Sequence, residues 1–188
     1  MNVVIFGPPG AGKGTQSKFL VEKFNLFQLS TGEFLRNEMS KNTKIGKQIA
    51  SVINSGSLVS DKIVSDLIEK IIANKEYQNR IIFDGYPRNL NQVKNLENLL
   101  KRYKQKIDIV LKLSVSLETI KKRIVERRNQ EKRLDDNEQI AIKRYQTYEK
   151  STEPVIDYYK KLNLLKVVDG ERPIDQINKE ISDIISLI

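Results

Sequence analysis

The chain has 188 residues, enough for one substantial core, with 33 Lys and Arg against 24 Asp and Glu and a formal net charge of +9. Lacking cysteine and histidine, it can build no disulfide, no thiolate metal site and no imidazole general base, so its chemistry must run on charge and positioning. No apolar run reaches the roughly eighteen residues of a membrane span, and a strand begins at once without a basic leader, so a soluble cytoplasmic protein with no membrane partner is expected.

The first element, Val3 to Phe6, is a short apolar strand that stops at Gly7-Pro8-Pro9-Gly10-Ala11-Gly12-Lys13-Gly14-Thr15, with helix-forming residues from about Lys13. Gly7, Gly10, Gly12 and Gly14 let the backbone come close to a ligand and present successive N–H groups at the positive end of a helix. Lys13 adds a full charge for the outer phosphates of a polyphosphate. A bare turn needs neither four glycines nor a lysine at the helix entrance. The phosphate-loop pattern G-x-x-x-x-G-K-[ST] fails at its last place, where Gly14 stands and the hydroxyl comes one residue later at Thr15. A GTPase-like magnesium ligand at that place is therefore disfavoured.

Gln16 to Phe24 reads as a helix with Phe19, Leu20 and Phe24 on its packed face, and Leu26 to Leu29 as a second strand. Ser30-Thr31-Gly32-Glu33 follows as a turn with a helix cap, to which Glu33 contributes. From Thr31 to Ile72 the pattern is helical with one break at Asn54 to Ser57 and no strand between. That is the form of a substrate-covering insertion, or of a helical decoration of the fold.

Arg80 to Asp84 is the third strand, and its acidic end leads into Gly85-Tyr86-Pro87-Arg88. Asp84, ending a buried strand beside the phosphate loop, suits a magnesium ion held through its water shell; the alternative is a capping aspartate. A helix from Asn89 to Tyr103, a fourth strand from Ile107 to Leu113 and a helix from Leu117 to about Arg128 come next. Arg123 and Arg127 share a face of that last helix, so they either meet a bound phosphate or lie solvated side by side. The stretch 129–137 is short and polar. Glu138 to Tyr159 is helical with a bend expected at Pro154, Leu164 to Asp169 is the fifth strand, and Ile174 to Leu187 the closing helix.

Strands alternating with helices predict an α/β chain: a three-layer P-loop fold with a five-stranded parallel sheet and ligands at the carboxyl ends of the strands. The excess of positive charge does not point to nucleic acid. Most lysines are scattered beside acids, as in Glu22-Lys23 and Glu69-Lys70, and no basic stripe interleaved with aromatics is present. Several arginines fall at the ends of predicted elements, where planar forks could converge on phosphate.

In this order the motifs GPPGAGKGTQ from Gly7, LSTGE from Leu29, GSLVSD from Gly56, FDGYPRNLNQ from Phe83, RIVERR from Arg123, KRLDD from Lys132 and VVDGERP from Val167 resemble the adenylate kinases over the whole chain. The resemblance implies reversible transfer of the terminal phosphoryl group of Mg-ATP to AMP, giving two ADP. It implies ATP phosphates on Gly10, Ala11, Gly12, Lys13, Gly14 and Thr15, with Arg123 and Arg127 from the lid side and the backbone at Arg172 against the donor adenine. For AMP it implies Thr31, Ser57, Leu58, Val59 and Gln92 around the base, the turn Gly85-Tyr86-Pro87, and Arg36 and Arg88 on the monophosphate. Arg133 and Arg144 would reach the group in transfer, so that Lys13, Arg88, Arg123, Arg133 and Arg144 form the catalytic set.

Pyrimidine monophosphate kinases resemble the chain too, but typically have alanine in place of Thr31 and asparagine in place of Gln92, so both positions favour AMP. Glu33 departs from the aspartate usual in the family's STGD turn. Only five residues separate Arg127 from Arg133, which resembles the short-lid class, and without Cys or His the zinc site of longer lids is not expected. The resemblance thus implies a monomeric single domain, 1–188, with mobile segments 30–59, the helical AMP-binding insertion, and 127–137, the short lid. Two rivals stay open: a UMP/CMP kinase, and a basic P-loop protein that binds nucleic acid and uses nucleotide as a switch.

Overall fold

A computed structural model describes residues 1–40, 43–55, 57–131 and 138–188, with the backbone alone at 44, 45, 128–131 and 138. Five strands, β1 (Val3–Phe6), β2 (Phe27–Ser30), β3 (Ile81–Asp84), β4 (Ile109–Ser114) and β5 (Leu165–Asp169), form one parallel sheet in the order β2-β3-β1-β4-β5. β1 and β3 are buried at every position, which is why β1 and the first three residues of β3 read as continuous apolar runs. The predicted α/β architecture is thus the observed one.

The two-residue period of the strands divides the core into two layers. Val4, Phe6, Ile81, Phe83 and Val110 face one side. There they meet α4 (Asp61–Ile72) through Ile68, α5 (Leu90–Arg102) through Leu96 and α7 (Glu138–Lys161) through Tyr159. Val3, Ile5, Ile82 and Leu111 face the other, against Leu20 of α1 (Lys13–Phe24) and Ile181 of α8 (Ile174–Ile185). Burying one such side chain contributes about 1.5–3 kcal/mol.

The α1 face is made by Gln16, Ser17 and Leu20, with Val21 and Phe24 packed partly against the core. Phe19, expected on that face, is only half-buried.

At the amino ends of the strands Asn2 is fully buried and ties three segments together. Its amide nitrogen donates to Gln105 Oε1 (3.2 Å) and the Lys106 carbonyl (2.9 Å), and its Oδ1 accepts from the Ile81 N–H at 3.1 Å.

The helical insertion contains a break that the sequence pattern did not predict. α2 (Thr31–Ser40) and α3 (Lys44–Asn54) are separate helices, and Thr43 caps α3 by accepting from Gly46 N at 2.9 Å. The two helices approach closely: a Cβ on Gly46 would stand 2.6 Å from the Glu38 carbonyl oxygen of α2. The cap at the start of α2 is also differently made. Ser30 Oγ accepts from the Glu33 N–H at 3.4 Å, so Glu33 is capped rather than capping, and its carboxylate sits in the first turn where the helix dipole favours it.

α6 (Leu117–Glu131) runs past Arg128 into the stretch expected to be a polar connection, and packs Ile120 and Ile124 on Ala141 of α7. The expected short lid, 127–137, lies partly outside the described residues, at 132–137. Pro154 is accommodated inside α7.

Candidate active site

β1 lies in the middle of the sheet with β3 on one side and β4 on the other; the chain leaves β1 towards β2 and later crosses from β3 past β1 to β4, so the direction of winding reverses beside β1 and a crevice opens at its carboxyl end. The glycine loop fills that place. Ala11 N–H bonds the Pro8 carbonyl at 3.1 Å, and Gly10 and Gly12 have φ of 86° and 92°, which side-chain-bearing residues rarely adopt. Gly12 starts α1 without a side-chain cap, and the Gln16 N–H is bonded to the Gly12 carbonyl at 3.0 Å. The N–H groups of residues 13–15 are therefore the first-turn donors of α1, pointing out of its positive end. A methyl added to Gly12 or Gly14 would touch nothing within 4 Å, so the cradle is open there.

Lys13 Nζ reaches back over the loop to the carbonyls of Gly7 (2.8 Å) and Pro8 (3.2 Å). Desolvation lowers its pKa to about 8; Asp84 opposes that shift, while Arg88 and Arg127 add to it. Arg88 is lowered too, first by desolvation and then by Arg144 and Arg36, against Asp84. Cations from the loop, α2, α6 and α7 thus act on one another across one space, a potential that favours a polyanion.

That space is a single cleft of about 1380 Å³ across the carboxyl ends of the strands. On its β1 side it is lined by Gly10, Ala11, Gly12, Lys13, Gly14 and Thr15. Towards β2 come Thr31, Arg36, Ser57, Leu58 and Val59, with Gly85, Pro87, Arg88 and Gln92 following β3. Towards β5 come Arg172, Ile174 and Ile177, and Arg123, Arg127 and Arg144 join from α6 and α7. Tyr86 does not line the cleft; its ring lies in the core and its hydroxyl donates to the Gln92 carbonyl at 3.2 Å. Arg133 lies outside the described residues.

On the β3 side the backbone is tight. Thr31 Oγ1 donates to the Gly85 carbonyl at 3.0 Å, and Arg88 Nε to the same oxygen at 2.6 Å. Gly85 has φ of 82°, and a Cβ there would come within 2.8 Å of Thr31 Oγ1 and 2.9 Å of Arg88 Nη2. Thr152 of α7 braces the turn by donating to the Arg88 carbonyl at 3.2 Å. Asp84, 8% exposed, accepts from Gln28 Nε2 at 3.1 Å and is the register partner of Ile5, one residue before the end of β1.

On the β5 side Arg123 spans the loop and the β5–α8 turn, donating from Nη2 to the Gly170 carbonyl (2.8 Å) and from Nη1 to the Ala11 carbonyl (3.5 Å). The Arg172 side chain bonds Glu180 and the Asp169 carbonyl, and the residue lines the cleft. Gln16 Nε2 holds the Ile174 carbonyl at 3.2 Å.

Three residues of this architecture went unread in the sequence. Gln28 holds Asp84, and Asp61 holds Gln92. Glu171 receives Thr119 Oγ1 and Ser116 N, both at 2.6 Å, at the start of α6, which brings its pKa down to about 2. Asp61 and Glu171 stand at the ends of elements and by pattern alone read as ordinary caps, while Gln28 is a polar residue within the short strand β2.

A parallel sheet with a glycine loop and lysine at its central strand, and arginines converging on one cleft, defines a P-loop nucleotide phosphotransferase. A family model described as Adenylate kinase matches residues 5–164. The chain is 42% identical to an adenylate kinase of Pelagibacter ubique, with all of both chains covered, and 36% identical to one of Fusobacterium nucleatum, with 98% of each covered. A third, from Archaeoglobus fulgidus, is 35% identical over the whole of this chain and 99% of its own length. This chain belongs to the adenylate kinase family.

Proposed function

We propose that the cleft holds two nucleotides end to end and carries out ATP:AMP phosphotransfer. An oxygen of the AMP phosphate bonds to the terminal phosphorus of ATP, the bond from that phosphorus to the bridging oxygen breaks, and two ADP result. The observation that carries this reading is the continuity of the cleft. One uninterrupted groove runs from Thr31, Arg36 and Gln92 past Lys13 and Arg88 to Arg172 and Ile177.

In this reading the amides of residues 10–15 and Lys13 take the triphosphate, with Arg123 and Arg127 beside them. Arg36 and Arg88 clamp the monophosphate, while Thr31, the 57–59 segment and Gln92 surround its base. Arg144, with Arg133, meets the moving group. No nucleophilic side chain is required. Phosphoryl transfer spreads charge over the equatorial oxygens, and fixed cations in a site shielded from water stabilise that charge more than they stabilise the ground state. Closure of the insertion 30–59 over AMP would complete the shielding and suppress transfer to water.

A magnesium ion suits the donor set: Asp84 is a carboxylate at the loop that would hold the ion through its water shell, and Mg²⁺ kept in place by waters and phosphate oxygens would need no further protein ligand. When bound it would neutralise charge on the triphosphate. The chain's own contribution is Gln28, which fixes the Asp84 carboxyl through Nε2. The same reading makes the chain a cytoplasmic monomer acting on ATP, AMP and ADP. No helix among the described residues is long and apolar enough to cross a membrane.

An acceptor panel with ATP tests the reading. ADP should form from AMP with a kcat/KM at least about 100-fold above that for CMP or UMP, since a buried base pocket leaves polar groups unpaired against the wrong edge. Faster transfer to CMP or UMP would replace this reading with a pyrimidine nucleotide kinase. Salt-sensitive retention of nucleic acid with no transfer to any acceptor would favour the switch protein.

A further inference from the structure

Gln92 is 3% exposed, and both ends of its amide are already engaged with the protein. Its Oε1 accepts from the Arg88 backbone N–H at 2.7 Å, and its Nε2 donates to Asp61 Oδ1 at 2.7 Å. An ionised carboxylate can only accept and a backbone N–H can only donate, so these two partners dictate which end of the amide is oxygen and which is nitrogen. Asp61 is itself held. It stands in the first turn of α4, and Asn89 Nδ2 donates to its Oδ1 at 3.1 Å, while Asn89 Oδ1 caps α5 on the Gln92 N–H at 2.8 Å. Asp61 does not line the cleft, whereas Gln92 does.

Each end of the Gln92 amide has capacity for one further hydrogen bond, an N–H at the Asp61 end and an oxygen lone pair at the Arg88 end, in a set order. A 6-aminopurine presents ring N1 as acceptor beside its amino donor and matches that order. A 6-oxopurine presents N1–H as donor beside O6 as acceptor and matches only the reversed amide. Reversal would put the Gln92 NH₂ against the Arg88 N–H and its oxygen against the Asp61 carboxylate, two repulsive contacts.

We propose that Asp61 is a positioning residue for base selection: by fixing the Gln92 amide it makes the acceptor site take 6-aminopurine and refuse 6-oxopurine monophosphates. The proposal rests on the reading of Gln92 as a wall of the acceptor-base pocket.

The test measures kcat/KM with ATP for AMP and for inosine 5′-monophosphate. The variant Asp61→Asn keeps the shape of the side chain but removes the charge and leaves one oxygen for two donors, Gln92 Nε2 and Asn89 Nδ2, so the grip on the Gln92 amide weakens. Its ratio of AMP to IMP use should fall about tenfold or more, through a higher KM for AMP and a lower one for IMP, with kcat for AMP changing less than KM. Asp61→Glu, which keeps the acceptor-only carboxylate, should hold the ratio nearer the parent value and serves if Asp61→Asn unfolds. Gln92→Met separates the two layers of argument. A ratio that moves in Gln92→Met but stays at the parent value in Asp61→Asn, or an equal loss for both acceptors in Asp61→Asn, overturns the role of Asp61 alone. A ratio that neither variant moves overturns the Gln92 reading and the proposal with it.

Discussion

Asp84 lies close enough to the Lys13 ammonium to raise its proton affinity, opposing the desolvation that brings it down to about 8. Lys13 therefore titrates near the working pH range, and only its charged form attracts a polyphosphate. In magnesium-free titrations, ATP affinity should begin to fall as the pH rises through about 8. In Asp84→Asn, which removes the opposing charge, the fall should begin at lower pH. An unchanged break point would mean that the carboxylate and the ammonium are not coupled. The sign for folding is the reverse. The folded value lies below the ordinary 10.5, so the ammonium opposes folding below about pH 8 and that cost fades as the pH climbs towards 10.5.

Arg88 is held by its own turn, with Nε on the Gly85 carbonyl and its backbone braced by Thr152. Replacing it by alanine should lower kcat/KM for AMP by roughly 100- to 1000-fold, the loss of a charge-assisted bidentate contact with phosphate. Arg88→Lys should recover only part of this, because the charge returns without the planar fork. Steady-state kinetics with AMP varied checks both; near-parent values for the alanine variant would remove Arg88 from the clamp.

Gly85 is where a methyl group should do measurable harm. In Gly85→Ala the new Cβ would collide with Thr31 Oγ1 and Arg88 Nη2 on a backbone that already requires positive φ. The expected cost is about 1–3 kcal/mol of stability, with a larger effect on KM for AMP than on ATP binding. Thermal unfolding and isothermal ATP titration on the same preparation separate the two.

At the opposite end of the strands, Asn2→Ala should leave the Ile81 N–H and the Lys106 carbonyl without their partner. A loss of roughly 2–3 kcal/mol follows from orphaning buried polar groups, with activity per folded molecule unchanged because the cleft is at the other end. Denaturant unfolding beside kcat tests the separation.

The strands and the phosphate loop were legible because their causes are local. β-branched runs buried on both faces leave no polar position, and a glycine loop with a lysine is a covalent pattern. The α2–α3 break was not. Ser40 and Thr43 are tolerable in a helix, and the close approach of Gly46 to the Glu38 carbonyl is a tertiary contact without a local signature. In the site the arginines could be read from the motifs that carry them, although Arg36, Arg123 and Arg144 stand inside α2, α6 and α7, but Asp61 could not. An acid in a helix's first turn looks like a response to the dipole, and its partner Gln92 is 31 positions away. Tyr86 shows the converse: it belongs to a motif of the site, yet packs in the core.

The account depends most on two nucleotides sharing one groove. A calorimetric titration with two adenosines joined through five phosphates addresses this directly. One molecule should bind per chain, exclude both ATP and AMP, and bind at least about 100-fold more weakly to Arg88→Ala and to Lys13→Met. Two molecules bound per chain, or AMP still binding beside the linked ligand, would contradict it.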